Sequence, residues 1–120
     1  STNMNYLGID WGQSHVGIAL ASGQLAEPLT TLKTEDSLQS IKLLLNKHNI
    51  DSIVVGDCPE SFSDQLSKVT VVHRVDETLS SYDARQSLLH TTQKKRRLRE
   101  HAVSACLILQ NWLDSLNQKM

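Results

Sequence analysis

The most constraining feature of the sequence is a carboxylate within an apolar strand, in the stretch YLGIDWGQSHVGIAL at residues 6–20. The pattern predicts a strand, a tight turn and a second strand, with Ile9 on one face and Asp10 on the other, because strand side chains alternate. A charge in such a strand is costly unless a turn, a cation or a metal ion compensates it. Asp10 fits both a turn-forming role and a metal-binding role. Gly8 and Gly17 leave room for a backbone or a ligand to approach the face of Asp10.

The length of 120 residues suits one domain with one core. We expect that domain over residues 4–120, since Ser1-Thr2-Asn3 ahead of Met4 is typical of a remnant of an expression tag. A net charge of -1 excludes a global basic field for nucleic acid, so such binding needs a local patch. No apolar run approaches the roughly 20 residues of a membrane span, and no signal peptide is evident, so we expect a cytoplasmic protein without a membrane partner.

The first half of the chain predicts three antiparallel strands followed by a helix. Residues 4–21 form the first hairpin, and residues 28–32 a short third strand at an edge, because a proline begins it. Asp36 is the expected N-cap of the helix, with Gln39 three residues on. The order of elements over the whole chain is β-β-β-α-β-α-β-α-α.

The second half predicts two parallel strands and further helices. Residues 51–57 are a β-branched run typical of a strand buried on both faces, and the preceding helix implies a parallel crossover. Residues 69–75 form the fifth strand, which delivers Asp76 and Glu77 to its C-terminal end. Helices are expected from Ser80 to about Thr91 and from about Glu100 to Leu116, with a charged loop between them. Cys58 and Cys106 lack a zinc-binding spacing and are expected to be buried thiols.

Three segments resemble the YqgF/RuvX family of the RNase H-like superfamily, described as Holliday junction resolvases and pre-16S rRNA nucleases. Residues 8–19 resemble its GIDYGxxRxGxA opening, with His15 in place of the arginine. Residues 75–81 resemble its DERLS/T motif, with Thr78 in place of the arginine. Residues 100–110 resemble its D-x-x-A-A-x-x-I-L-Q helix, with His101 in place of the acid. The resemblance touches most of the chain, although the family has a longer helix between Pro59 and Val69.

The resemblance implies an α/β fold of RNase H-like type, a five-stranded mixed sheet of three antiparallel and then two parallel strands flanked by helices. It also implies a two-metal endonuclease that uses Mg²⁺ or Mn²⁺. Its catalytic residues and metal ligands would be Asp10, Glu77 and His101, the first two from neighbouring parallel strands. An imidazole at His101 suits Mn²⁺ or Zn²⁺ better than Mg²⁺. His101 also fits a helix-terminal histidine without a metal role, and Asp76 fits a structural partner of backbone amides.

Nucleic acid, either pre-rRNA or branched DNA, is the implied partner of a monomer or weak homodimer. The predicted phosphate contacts are Lys94, Lys95, Arg96, Arg97 and Arg99 in the basic run at residues 94–99, together with Arg74 and His15. Either His73 or Arg74 should face the groove of the site.

Two other hypotheses compete with an endonuclease. One is a catalytically weak or inactive nucleic-acid-binding relative, favoured by the departures at His15, Thr78 and His101. The other is an ATP-binding module, because GIDWGQS also resembles the first phosphate loop of sugar kinases and actin-like ATPases. Those proteins hold the nucleotide between two such domains, whereas 120 residues supply one.

Overall fold

A computed structural model describes residues 4–75 and 93–118, with side chains for residues 4–75 and 101–116. The chain forms, in order, the elements β1 (Asn5–Asp10), β2 (His15–Ser22), β3 (Ala26–Lys33), α1 (Thr34–Lys47), β4 (Ser52–Val55), α2 (Glu60–Ser67), β5 (Val71–Arg74) and α3 (Gln93–Gln118). The helix predicted from Ser80 to Thr91 lies outside the described residues. The extent of the domain, 4–120, stays a prediction.

The sheet has the strand order β3-β2-β1-β4-β5, which puts the Asp10 strand at its centre. The first three strands are antiparallel, and β1, β4 and β5 are parallel, as predicted. The expectation that Asp10 and Glu77 follow neighbouring strands is wrong, because β4 lies between β1 and β5. The crossover through α1 brings β4 directly beside β1. The ends of β1 and β5 are therefore two strand spacings apart, roughly 10 Å.

Helices cover both faces of the sheet, and the alternation along β1 decides which residues each helix meets. Leu7 and Ile9 are fully buried against α1 and α2, in a cluster with Val16, Ile18, Ile41, Ile53, Val55, Phe62 and Leu66. The face of Gly8 and Asp10 packs on α3, in a cluster of Tyr6, Ala19, Ala21, Ala26, Val54, Ala105, Ile108, Leu109 and Leu113. The predicted faces of the first strand are confirmed.

The edge strand β3 is longer than predicted and irregular. It spans eight residues, and its pairing with β2 shifts register between Ile18 and Ala19, which pair with Thr30 and Pro28. Pro28 has no amide hydrogen to give to the sheet, and a bulge on an edge strand tolerates that loss. The strand continues past the bulge to Lys33, which pairs with His15 at the start of β2.

Two helix starts differ from the prediction. Asp36 does not cap α1, since the helix begins at Thr34 after an extended Lys33 and has no side-chain cap. The basic run at residues 94–99, predicted as a loop, is helical backbone, because α3 begins at Gln93 and runs for 26 residues. Within the described ranges, no helix is long and apolar enough to cross a membrane.

Candidate functional site

Asp10 lies at the C-terminal end of the central strand. The residue is buried, with 9% of its surface exposed, and its partner in β2 is Gly17. This carboxylate is on the face of the sheet that α3 covers. A buried carboxylate needs a partner to offset the loss of water. Its surroundings therefore decide between the turn-forming and the metal-binding role.

The polar contact of the Asp10 carboxylate among the described residues is with His101, the ninth residue of α3. His101 Nδ1 and Asp10 Oδ2 are 3.4 Å apart, with 30% and 13% of the two side chains exposed. Hydrogen bonds between charged partners are shorter, about 2.7–2.9 Å. The pair is close but only loosely bonded. The structure thus brings together two of the three predicted catalytic residues, and their role as metal ligands stays a prediction.

Glycines on the sheet and in the turn after β1 let His101 come this close to Asp10. A Cβ on Gly17 would overlap the backbone carbonyl of His101, so α3 lies directly on the strand. A Cβ on Gly12 would stand 3.1 Å from His101 Cε1. At the next step along the sheet, a Cβ on Gly8 would stand 2.9 Å from the Ala105 carbonyl oxygen. The close approach anticipated on this face is made by the backbone of α3.

His15 lies beside His101 at the mouth of the site. It opens β2 on the same face as Gly17, and the His15 and His101 ring centres are 6.2 Å apart with the planes tilted by 33°. The two histidines come from sequence positions 86 residues apart. The predicted phosphate contact of His15 stays a prediction, but the structure places its ring near that of His101.

Thr34, which the sequence analysis did not single out, holds the turn between Asp10 and His15. Its hydroxyl donates to the Gly12 carbonyl at 2.6 Å, and its amide donates to the Ser14 carbonyl at 3.0 Å. The sequence offered only a weak signal, a threonine between the predicted third strand, which ends at residue 32, and the predicted N-cap at Asp36. The pairing of His15 with Lys33 brings this residue to the turn.

His73 and Arg74 point to opposite faces of β5. His73 stacks on Trp112 of α3, with ring centres 4.7 Å apart, so it lies on the face of Asp10. Arg74 Nη2 donates to the carbonyl of Cys58, which belongs to the cluster on the other face. The structure does not bring Arg74 to Asp10. Of the two residues, His73 is therefore the one on the same face of the sheet as Asp10, and its ring contacts Trp112 there.

The remaining predicted site residues are not described at the level of side chains. Asp76 and Glu77 lie outside the described residues. The basic run is described as helical backbone, and its last residue, Arg99, stands two positions before His101. Among the residues that are described, no three His, Cys, Asp or Glu side chains already converge on a point that could hold a metal ion.

The two thiols lie apart from Asp10 and are half-buried rather than buried. Burial raises the pKa of Cys58 above its usual 9.0, although the charge of Arg74 partly opposes the rise. Burial also raises the pKa of Cys106, and the neighbouring Glu27 adds to it. Both thiols therefore hold their protons near neutral pH, which makes them poor nucleophiles and poor metal ligands.

A mixed five-stranded sheet with a buried aspartate ending its central strand, and a long helix across that face, defines a domain of RNase H-like fold. The chain belongs to the RuvX (YqgF) family, whose description is Holliday junction resolvase and whose model matches residues 4–65 and 58–115. The two matched parts meet at α2, where the sequence analysis expects the family to carry a longer helix.

Relatives that match over most of their length carry the name "Putative pre-16S rRNA nuclease". One from Anaeromyxobacter sp. (strain Fw109-5) is 34% identical over 92% of this chain and 97% of its own. One from Thermoanaerobacter pseudethanolicus is 28% identical over 97% of this chain and 100% of its own. The first match extends over 133 positions, more than the 120 residues here, so the relative has residues that this chain lacks.

Solved structures share the fold. Fowlpox virus resolvase, in complex with its substrate Holliday junction DNA, matches with a TM-score of 0.62 at 15% identity, over 94% of this chain and 99% of that one. Thermus thermophilus RuvC, in complex with a Holliday junction substrate, matches with a TM-score of 0.52 at 13% identity, over 93% and 94%. At such identities the likeness concerns the fold alone.

Proposed function

We propose that the protein is a cytoplasmic, metal-dependent endonuclease that cleaves phosphodiester bonds in structured nucleic acid, most simply at the 5′ end of pre-16S rRNA. The buried Asp10 at the end of the central strand, 3.4 Å from His101, is the observation that carries the proposal. The names of the relatives support RNA as the substrate class. The family description and the resolvase complexes support branched DNA as its alternative.

A divalent metal ion fits the donor set at Asp10. The carboxylate is buried, its contact with His101 is longer than a good hydrogen bond, and both side chains offer atoms that bind divalent cations. Asp10 and His101 would hold the ion, with Glu77 as the third ligand. When bound, Mg²⁺ or Mn²⁺ supplies charge stabilisation for the attacking and leaving oxygens of a phosphodiester.

The chain's own residues position and screen that site. Gly17 and Gly12 let α3 approach, which fixes His101 over Asp10. Thr34 holds the adjoining turn. The apolar cluster beneath the carboxylate excludes water from one side, which strengthens electrostatic interactions within the site.

The basic run at residues 94–99 supplies phosphate affinity next to the site. It forms the first turns of α3 and ends two residues before His101. Positive charge at a helix N-terminus is unfavourable with respect to the helix dipole, and bound phosphate relieves that cost. We assign to this run the sequence-independent part of nucleic-acid binding.

A catalytically weak or inactive binding protein is the second candidate. The observation that favours it is the departure from the family's motifs at His15, Thr78 and His101. In that case the basic run and the Asp10 pocket would bind nucleic acid without cutting it. The two candidates differ in one measurable property, metal-dependent cleavage.

Cleavage of a 5′-extended 16S rRNA fragment and of a four-way DNA junction, each with Mg²⁺ and with Mn²⁺, tests the proposal. Asp10→Asn should keep the fold, since the amide is isosteric, and should abolish cleavage. His101→Asp should move the metal preference toward Mg²⁺, because it recreates an all-oxygen set. Cleavage that persists at the wild-type rate in Asp10→Asn would rule out this site. Binding without any cleavage in the wild-type protein would establish the second candidate.

A further inference from the structure

We propose that Gln110 is a positioning residue for the Asp10–His101 pair, because it fixes where α3 lies along the sheet. Gln110 follows His101 by nine residues in the same helix, so the two are about 14 Å apart along its axis. The inference rests on the proposed function in one respect, that Asp10 and His101 belong to the reacting site. It goes beyond that proposal in assigning a role to a residue that does not touch the site.

The side-chain amide of Gln110 bonds to the turn between β2 and β3. Its Oε1 accepts from the backbone amide of Ala26 at 2.9 Å, and its Nε2 donates to the carbonyl of Gln24 at 2.9 Å. Nε2 also donates to Asp114 Oδ1 at 3.1 Å. All of these contacts require the same orientation of the amide, since the reversed one would place Oε1 against two acceptors. The side chain is therefore held in one orientation against the turn.

The turn is a firm point of attachment for the helix. Ala26 is buried at the start of the edge strand β3, so its amide hydrogen needs the partner that Gln110 supplies. Gly23, in the same turn, donates its amide hydrogen to the carbonyl of Met4, directly before β1, at 3.1 Å. Gln110 thus joins α3 to a part of the sheet that backbone hydrogen bonds hold in place.

The contacts near the site hold α3 close to the sheet but set its position along the axis less firmly. Interlocking side chains fix that position when two elements pack, whereas Gly8 and Gly17 present backbone alone to the helix. The side chains of Asp10 and His101, 3.4 Å apart, are too loosely bonded to hold the helix themselves. A displacement of about 1.5 Å, the rise of one residue, would take His101 out of register with the carboxylate.

Nuclear magnetic resonance of the whole protein tests this role without reference to cleavage or to a metal ion. A Cβ on Gly12 would stand 3.1 Å from His101 Cε1, so the α hydrogen in that direction gives a strong nuclear Overhauser effect with the imidazole. The intensity of this effect falls steeply with distance, so it reports where His101 lies. Gln110→Met keeps the length of the side chain and removes its hydrogen bonds. Gln110→Glu keeps an acceptor for Ala26 but no donor for the turn.

Ile108→Val is the matched control. It removes one buried methyl group from the same stretch of α3 and leaves the hydrogen bonds of Gln110 in place. Circular dichroism shows that each variant is folded, and urea unfolding measures how far each is destabilised. The control therefore separates a lower stability of α3 from a displacement of α3.

We expect Gln110→Met to lose most of the Overhauser intensity between Gly12 and His101, because a displacement of about 1.5 Å is large for so short a contact. Gln110→Glu should keep more of the intensity, since Ala26 retains its acceptor. Ile108→Val should keep the wild-type intensity despite its lower stability.

Wild-type intensity in folded Gln110→Met would overturn the role of Gln110. An equal loss in Ile108→Val would also overturn it, because any weakening of α3 would then have the same effect. If Gln110→Met does not fold, the comparison of Gln110→Glu with Ile108→Val decides in the same way. A protein that shows the expected dependence on Gln110 but cleaves nothing would uphold this inference and contradict the proposed endonuclease.

Discussion

Replacing Gly17 by alanine should push α3 away from the sheet at the point where the helix positions His101 beside Asp10. The added Cβ would overlap the backbone carbonyl of His101, and a helix backbone cannot move aside as a flexible side chain can. Overpacking of this kind costs roughly 1–3 kcal/mol. The lower entropy of the unfolded alanine chain offsets about 0.4–1 kcal/mol of it. We expect a net loss near the upper part of that range, about 2 kcal/mol.

Gly8→Ala is the matched comparison on the same face. Its Cβ would stand 2.8 Å from Leu109 Cβ and 2.9 Å from the Ala105 carbonyl oxygen, so α3 must move there too, but by less than at Gly17, where the Cβ would overlap the helix backbone. Urea unfolding at 25 °C measures both variants. A loss of about 2 kcal/mol corresponds to a fall in Tm of roughly 8 °C for a chain of this size. Gly8→Ala should lose distinctly less.

The same pair separates packing from site geometry. Gly17→Ala displaces the turn of α3 that carries His101, so it should weaken metal binding at Asp10, whereas Gly8→Ala acts one helical turn further along and should not. The reasoning would be refuted if Gly17→Ala were as stable as the wild type, or if Gly8→Ala were the more destabilised of the two. Either result would mean that α3 does not rest on Gly17.

Three further expectations concern the turn, the thiols and the basic run. Thr34→Val leaves the Gly12 carbonyl without its donor and should cost about 1–3 kcal/mol in urea unfolding, while Thr34→Ser should recover most of it. Because burial raises the pKa of Cys58 and Cys106 above 9.0, iodoacetamide should label the folded protein slowly at pH 8. The stabilisation linked to these raised pKa values is present below pH 9 and should be lost as the pH rises through the pKa values of the folded protein. Equal labelling rates of the folded and the urea-unfolded protein would contradict the raised pKa values. Replacing the Lys and Arg residues of the basic run by serine should make nucleic-acid binding less dependent on salt. The slope of the logarithm of the binding constant against the logarithm of the salt concentration should fall by up to about 0.9 for each duplex phosphate that the variant no longer binds. An unchanged slope would exclude this role of the basic run.

The strands and their faces were predictable because their signal is local. The alternation through Ile9 and Asp10 fixes two faces by itself, and the β-branched run at residues 51–57 is typical of a buried strand wherever it pairs. The crossover rule then gives a parallel pair. The order of the parallel strands was not predictable, because no local sequence pattern indicates that β4 lies between β1 and β5.

The predicted starts of two helices were wrong because tertiary contacts or helix propensity outweighed the local signals that were used. Asp36 has the side chain of an N-cap, yet α1 begins earlier, because the amide and hydroxyl of Thr34 are bonded to the turn at Gly12 and Ser14. The basic run has no apolar periodicity and therefore resembles a loop. Arginine and lysine nonetheless favour helices, so the run continues α3 toward its N-terminus.

The candidate site was predictable in its members but not in its arrangement. Asp10 and His101 stand out in the sequence as a carboxylate in an apolar strand and a histidine at the start of a helix, and nothing local joins them. What joins them is a helix that packs directly on glycine. Gly17 pairs with Asp10 across the strands, so the strand position that admits the helix backbone is the position beside the carboxylate. A glycine opposite a buried carboxylate thus carries the information about the site, because it determines which residue of α3 reaches Asp10.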